Sequence, residues 1–387
     1  MGSGGGELVL ATLDPSLIDD WVVSELEGLG YSVRVVRVPS LEPGAVASLA
    51  SRGWVVVPGS SPYDYSQLGG RVVKGSYSPR MLPFILRLAT LDMLSPRMPA
   101  EKALEGLMES VARIVLEHAS SRLEEAFSLG GVRVPLRPPP FIVVADLYYR
   151  GSISGTVEEA SRMAGEGADI VVFSWSLGLD KSLFLKVVKA MLDSGVAPLG
   201  VDVPFIGAMV EALDSGAVLG MSLDLDSLGE VPRRVREEKA FVILPRTTEP
   251  PQAAIRDLER AVGRARGMGF EKIIVDPVLK PPFYGGLGAS LERLLMAGRR
   301  IREPIMVGLN NVYEMIDADT TGSIALLVSI AGEMGASVLM GGEESCKSKG
   351  SISEIRRASL MASVALYVGM PPKDLGINLL GFKSKKC

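Results

Sequence analysis

PIMVGLNNVYEMIDADTTGSIALLVSIAGEMGASVLMGGEESCKSKG, residues 304–350, passes twice from a short apolar run into a polar loop. The runs 305–309 and 337–340 have strand length, and 322–334 between them carries apolar residues at helical spacing. The chain's only asparagines are Asn310, Asn311 and Asn378, and its only glutamines are Gln67 and Gln252. Two of these amides stand side by side where an apolar strand ends. Asn is a poor strand former and costly to bury unpaired, so this position calls for a group that both donates and accepts hydrogen bonds.

Upstream the same unit recurs. Apolar strand-length runs occupy 141–145, 170–173, 197–201, 217–221, 240–244, 272–275, 305–309 and 337–340. Amphipathic helical stretches follow at 156–164, 181–194, 204–213, 251–267, 289–299, 323–334 and 352–368, and 228–238 must serve as a short helix after the fourth run. Eight such pairs predict an α/β protein with a (β/α)8 TIM barrel, which the repeat count favours over an open doubly wound sheet. Residues 7–137 predict a small α/β domain in front of it. Strands are expected at 8–12, 32–38, 54–57 and 71–74, a helix at 15–29 with Asp14 as its cap, and one long helical pattern over 99–127. The stiff Arg137-Pro138-Pro139-Pro140 places the boundary between domains 1–137 and 138–387.

Length and 47% hydrophobic content allow two well-filled cores, and a net charge of −4 offers no field for nucleic acid. No apolar run is long enough for a membrane span. The lead-in Met1-Gly-Ser-Gly-Gly-Gly6 has neither the basic nor the apolar part of a secretory signal. Two cysteines, Cys346 and Cys387, make no thiolate zinc site, and a reducing cytoplasm fits. His118 is the only histidine, so a Ser-His-Asp mechanism is not expected, and its amphipathic surroundings give it a structural role. Scarce amides with abundant Arg and Glu match heat-adapted proteins.

In such a barrel, function lies at the carboxyl ends of the strands. Those ends hold Asp146, residues 174–176, Asp202, Ser222 with Asp224, Arg246, Asp276, Asn310 with Asn311, and residues 343–345. Taken singly, Asp202 and Asp224 read as helix caps and Asp276 before Pro277 as a turn. Together, the acids and the Asn pair suit a ligand that presents several N–H groups, since one carboxylate accepts two parallel hydrogen bonds. The last two helices open at 319–323 and 347–351, with Ser351 and Glu354 in capping-box spacing. These are the usual phosphate seat of the fold, to which Lys347, Lys349 and Ser351 would contribute, against the plainer reading of a capped helix with a solvated lysine loop. The aromatic, glycine-bearing loop 280–288 reads as a lid or stacking surface. Glu314, Asp317 and Asp319 offer oxygens for Mg2+, although acids near a helix start are commonly solvated.

Residues 141–387 resemble the pterin-binding superfamily, which holds dihydropteroate synthases and methyltetrahydrofolate:corrinoid methyltransferases. The resemblance rests on Val201-Asp202 after strand three, Ile274-Val-Asp276-Pro277 after strand six and Gly308-Leu-Asn-Asn311-Val312 after strand seven. With Val57-Pro-Gly59, Val73-Lys-Gly75 and Pro371-Pro-Lys-Asp-Leu-Gly376, the whole chain is most similar to archaeal dihydropteroate synthase-related proteins. The resemblance implies a pterin, as substrate or cofactor, held by Asp202, Asp276 and Asn311, with Ser222, Asp224 and Asn310 beside them. Ser222 stands near the family's strand-four Asn. The chain departs from a synthase in having Asp146-Leu-Tyr-Tyr-Arg150 in place of Asn-x-Thr-Pro-Asp-Ser-Phe, and Gly342-Glu-Glu-Ser345 in place of Arg-x-His.

Three functions follow as expectations. The first is a transferase joining a pterin to an arylamine in folate- or methanopterin-type metabolism, with Lys347, Lys349 and Asn311 in catalytic roles. The second is pterin-linked methyl transfer to a corrinoid protein, with Asn311 near the ring nitrogen. The third is a non-catalytic pterin-binding subunit. The resemblance further suggests a homodimer.

Overall fold

The computed structural model describes residues 7–51 and 53–380. The lead-in Met1–Gly6 and Cys387 lie outside the described residues. The chain forms two compact units, one of Met1–Ser121 with Val364–Asn378 and one of Arg122–Ser363 with Leu379–Cys387.

The first unit holds strands β1 (Glu7–Thr12), β2 (Ser32–Arg37), β3 (Trp54–Val57) and β4 (Val72–Lys74), and helices α1 (Asp20–Gly28), α2 (Pro43–Ala47), α3 (Leu82–Ile85), α4 (Ala100–Ala103) and α5 (Met108–Ser121). All strand pairs are parallel, in the order β2-β1-β3-β4. Side chains alternate across a strand, so Leu8 and Leu10 pack with Val22, Leu26, Met108 and Val115 on one face. Val9 and Ala11 pack with Val46, Val55, Val57 and Val72 on the other. Burial of both faces is why β1 and β3 read as apolar runs, whereas the half-exposed edge strand β2 carries Ser32, Arg34 and Arg37. His118 packs among Phe84, Tyr367 and Trp21, edge-on to the first and tilted to the others, with ring centroids 5.2, 5.7 and 6.3 Å away, which is the structural place expected of it.

The second unit begins with a hairpin, β5 (Glu125–Leu129) and β6 (Val132–Pro135), followed by eight parallel strands. These are β7 (Ile142–Leu147), β8 (Ile170–Ser174), β9 (Leu199–Asp202), β10 (Leu219–Leu223), β11 (Ala240–Ile243), β12 (Lys272–Val275), β13 (Met306–Gly308) and β14 (Val338–Gly342). Between and after them run α6 (Ile153–Gly165), α7 (Lys181–Ser194), α8 (Ile206–Asp214), α9 (Arg233–Glu238), α10 (Pro251–Gly267), α11 (Leu287–Arg300), α12 (Asn310–Tyr313), α13 (Thr320–Glu333) and α14 (Ser351–Val368). The strand order is β12-β11-β10-β9-β8-β7-β14-β13, and a parallel bridge from Val275 to Ile305 closes the circle. The expected (β/α)8 barrel is therefore present.

Three local expectations are corrected. The helix expected over 15–29 is split, with Asp14 capping only the 3-10 turn Pro15–Leu17 and α1 beginning at Asp20 with Asp19 at its N-cap. The helical pattern over 99–127 ends at Ser121, and Glu125–Leu129 is a strand. Its Leu129, with Val134, is buried against Ile142, Ile170 and Val338, so the hairpin stops the amino-terminal end of the barrel. Burial there selects the extended form over local helical spacing. The hairpin turns at Gly130, where φ is +53° and an added Cβ would lie 2.9 Å from Pro198. The third correction concerns 305–309, of which only Met306–Gly308 is strand, because Asn310 already opens the one-turn α12.

Leu129→Asp would place an unpaired charge in this stopper. The expected loss is on the order of 3 kcal/mol or more, read as a lower urea midpoint for the barrel by far-UV circular dichroism.

Candidate functional site

The barrel's inward positions follow from register. Ile142, Val144, Ile170, Val172, Leu219, Met221, Val242, Ile274, Met306 and Met340 share one apolar core. Two residues further along β7 and β8 the same inward face reaches Asp146 and Ser174. Gly200 pairs with the inward Val172 and Leu219, so Asp202 also faces in. Beyond Ile274 comes Asp276. On β10 the register slips between Gly220 and Leu223, and Leu223 pairs with the outward Ile243, which turns Ser222 inward. Gly342 pairs with Asp146 and completes the layer without a side chain. Asp146, Ser174, Asp202, Ser222 and Asp276 thus converge on one mouth at the carboxyl ends of the strands.

The mouth is rich in carboxylates whose burial shifts them. Burial, with the charges of Asp202 and Glu344, pushes Asp146 up to about 7, although hydrogen bonds from Ser174 and Tyr148 oppose the shift. The Ser174 hydroxyl donates to Asp146 Oδ1 at 2.5 Å, and Asn310 Nδ2 donates to Oδ2 at 3.4 Å. Asp202 is raised by burial. Asp276 retains some accessible surface yet sits deep enough that burial pushes it to about 6, with the Val278 N–H and Arg293 pulling the other way. That N–H donates to Asp276 Oδ1 at 2.7 Å.

The turn that carries this bond is strained. Val278 has φ +66°, an unfavourable value for a β-branched residue. Arg293, fully buried on α11, holds it by donating to Pro277 O at 2.9 Å, Val278 O at 2.6 Å and Thr248 O at 2.8 Å. Sequence reasoning missed Arg293, because an arginine on an amphipathic helix carries no sign that it faces inward.

The remaining expected residues divide. Asn310 is buried against Asp146, whereas Asn311 is exposed and donates through Nδ2 to Leu279 O at 3.2 Å, tying strand seven's loop to the 280–288 loop. Asp224 turns to its own loop. Oδ1 accepts from Ser227 N at 2.9 Å and Asp226 N at 3.1 Å. Partial burial acts upward, but these bonds hold the carboxyl below its usual range. It therefore closes its own loop and is not the helix cap of its plainer reading, since the 3-10 turn Ser227–Glu230 has Asp226 at its N-cap and α9 has Pro232.

The expected phosphate seat is filled from within the protein. Glu343 Oε1 accepts from Gly350 N at 2.9 Å and lies 3.5 Å from Ile352 N, so a carboxylate already occupies the start of α14. Arg162 pairs with its other oxygen at 2.5 Å. Lys347 is committed elsewhere, donating to Glu314 O at 2.8 Å and Ile316 O at 2.5 Å. Ser351 is buried, and its hydroxyl donates to Gly342 O at 3.0 Å. Lys349 is exposed. The expected Ser351–Glu354 capping box is also corrected, since Glu354 accepts from Thr320 at 2.7 Å and Thr321 at 2.9 Å. Of the acids considered for Mg2+, Glu314 accepts from Ser345 at 2.6 Å and Asp319 caps α13. Among the described residues, no three His, Cys, Asp or Glu gather as a metal set, and no helix is long and apolar enough to cross a membrane.

No protein-family model matches the chain. An uncharacterized protein of Methanocaldococcus jannaschii is 34% identical over 213 residues, which are 52% of this chain and 40% of that protein. The chain therefore spans less than half the length of this curated relative. Among solved structures, it is similar to Yersinia pestis dihydropteroate synthase with a pterine-sulfa conjugate, at TM-score 0.49 and 17% identity over 62% of this chain and 98% of that one. It is also similar to the Thermus thermophilus synthase in complex with 6HMPPP, at TM-score 0.47 and 23% identity over 60% of this chain and 96% of that one.

Raised carboxyl groups link the site to stability. A folded state that keeps Asp146 near 7 and Asp276 near 6, against about 3.8 when unfolded, binds more protons than the unfolded chain in that interval. Stability therefore falls as pH rises from about 4 to about 7. Asp146→Asn is expected to raise the thermal midpoint at pH 8, and the gain should shrink toward pH 5. Differential scanning calorimetry at the two pH values reads the difference.

Proposed function

We propose that the barrel binds a reduced pterin in this mouth and serves transfer of a one-carbon group carried by the pterin to a corrinoid protein. Asp202 and Asp276 are the acceptors for the amidine-like edge of a 2-amino-4-oxo ring, each able to take parallel N–H donors when ionised. Val278 N–H and Arg293 hold the Asp276 carboxyl in place before the ligand arrives. Ser222 and Asn311 supply further polar contacts at the rim.

Asp146 is the proton donor in this reading. A carboxyl that titrates near 7 is half protonated at neutral pH, which suits general acid work. When the carbon–nitrogen bond of a methylated pterin breaks, the methyl group goes to the external acceptor and the nitrogen pair takes a proton. Ser174, Tyr148 and Asn310 keep Asp146 oriented for that delivery.

The observation that favours transfer over condensation is Glu343 at the start of α14. A diphosphate leaving group would meet a buried carboxylate there, and Lys347 is held by carbonyls. Docking of a protein acceptor has its own support. Leu177, Phe205, Phe283, Tyr284 and Met315 are exposed by 103, 55, 107, 80 and 64%, and all lie on loops that follow barrel strands at their carboxyl ends.

Calorimetric titration with tetrahydropterin tests the site. Asp276→Asn and Asp202→Asn are each expected to weaken binding at least tenfold, about 1.4 kcal/mol. Undiminished affinity in both would remove the pterin assignment. Methyl transfer from a methylated pterin to reduced cobalamin is expected to fall at least a hundredfold in Asp146→Asn with pterin affinity kept. The double variant Lys347→Ala/Lys349→Ala should leave that rate unchanged; if it instead abolishes an arylamine condensation present in the parent, the condensation reading stands. Binding with no turnover of either kind would make the chain a pterin-binding subunit.

A further inference from the structure

The first unit contains a cleft of about 240 Å³, unconnected with the chemistry argued for the barrel. Its place follows from topology. With strand order β2-β1-β3-β4, the chain leaves β1 toward opposite edges of the sheet, so β1 and β3 flank the switch point. In open parallel sheets the crevice beyond the carboxyl ends at this point is where ligands bind. The cleft is lined there by Leu10 to Leu13 at the end of β1, Val56 to Pro58 and Ser60 at the end of β3, and Gly75 to Tyr77 after β4.

The cleft is too large for a packing defect, since native interiors keep few voids bigger than a water molecule. A cavity of about 150 Å³ already holds a benzene ring. Beside the lining, a Cβ on Gly59 would stand 2.7 Å from Gly75 O, so the segments that follow β3 and β4 run in backbone contact. At the rim, Leu13, Leu17 and Tyr77 are exposed by 49, 66 and 43%, although they border a concave apolar surface.

The lining also excludes ligand classes. Among the described residues, no Asp, Glu, Lys or Arg belongs to it. Two polar side chains of the lining are already paired. Thr12 Oγ1 donates to Asp14 O at 3.1 Å, and the Ser76 hydroxyl donates to buried Glu101. A nucleotide phosphate would need a glycine-rich turn and a helix start after β1. In its place is Leu13-Asp14-Pro15, where the Asp14 carboxylate accepts from Ser16 N at 3.0 Å and would repel an anion.

We propose that this cleft is a second small-molecule site, for a compact uncharged molecule that is mainly apolar and about the size of one substituted ring. Apolar surface from β1, β3 and the Leu17 turn encloses the ring, and the Ser60 and Tyr77 hydroxyls at the rim meet its polar edge.

Ligand-observed NMR titration of the full chain with indole, and with benzoate as a charged counterpart, tests the assignment. Saturable indole binding is expected, with benzoate at least tenfold weaker. Ser60→Trp fills the opening, and Leu17→Glu puts a charge on its rim. Both positions are exposed, so both variants should keep the parent thermal midpoint while weakening indole at least tenfold. Asp276→Asn should leave indole binding unchanged. Absence of saturation, equal affinity for benzoate, equal affinity in both cleft variants, or loss of binding in Asp276→Asn would overturn the proposal.

Discussion

Closing eight parallel strands on themselves leaves one set of inward positions above the last apolar layer. In this protein that set carries Asp146, Asp202 and Asp276, three carboxyls that burial raises. Burial disfavours the charge on each, and the charge on Asp202 works against the other two. Two routes relieve the cost: protonation, which lifts the carboxyls toward neutrality, and donors aimed at the carboxylates, such as Ser174 and the Val278 N–H. A ligand with several N–H groups would relieve it further. The same physical fact thus sets the pH dependence of stability and the chemistry of the ligand.

The donor to Asp276 is itself costly, since Val278 holds a left-handed backbone. Five donors in a fixed planar fork let Arg293 grip several carbonyls of this turn at once, which a lysine would not do. The guanidinium is completely buried, and its hydrogen bonds to carbonyls stand in for water. Strain at the mouth is balanced by a helix one layer out, so the acid is fixed before any ligand arrives.

Glu343 shows how a fold can keep a feature and change its use. The start of α14 is electropositive in any such barrel, and an anion there is stabilising. This chain supplies the anion itself and secures it with Arg162. That arrangement ties β14, α14 and α6 together. It also removes the place where an external phosphate would sit, although the lysines and serine that suggested one are present nearby.

The strand and helix repeat, the apolar strand-length runs and the acids at strand ends were all legible in the sequence. They depend on local spacing, and local spacing decided the barrel and the candidate mouth. What the chain order alone left open was where polar side chains spend their hydrogen bonds. Asp202 and Asp224 look alike as acids after strands, yet one faces the barrel and the other closes its own loop. Lys347 and Glu343 exchange the roles that their charges suggest, and 125–129 leaves a helical pattern to bury Leu129 beneath the barrel. Asp224 finds its partners two and three residues on, whereas the roles of Glu343 and Lys347 and the burial of Leu129 are settled by partners far away along the chain. Hydrogen bonding and burial are short-range in space but not in sequence, so only the tertiary structure could decide them.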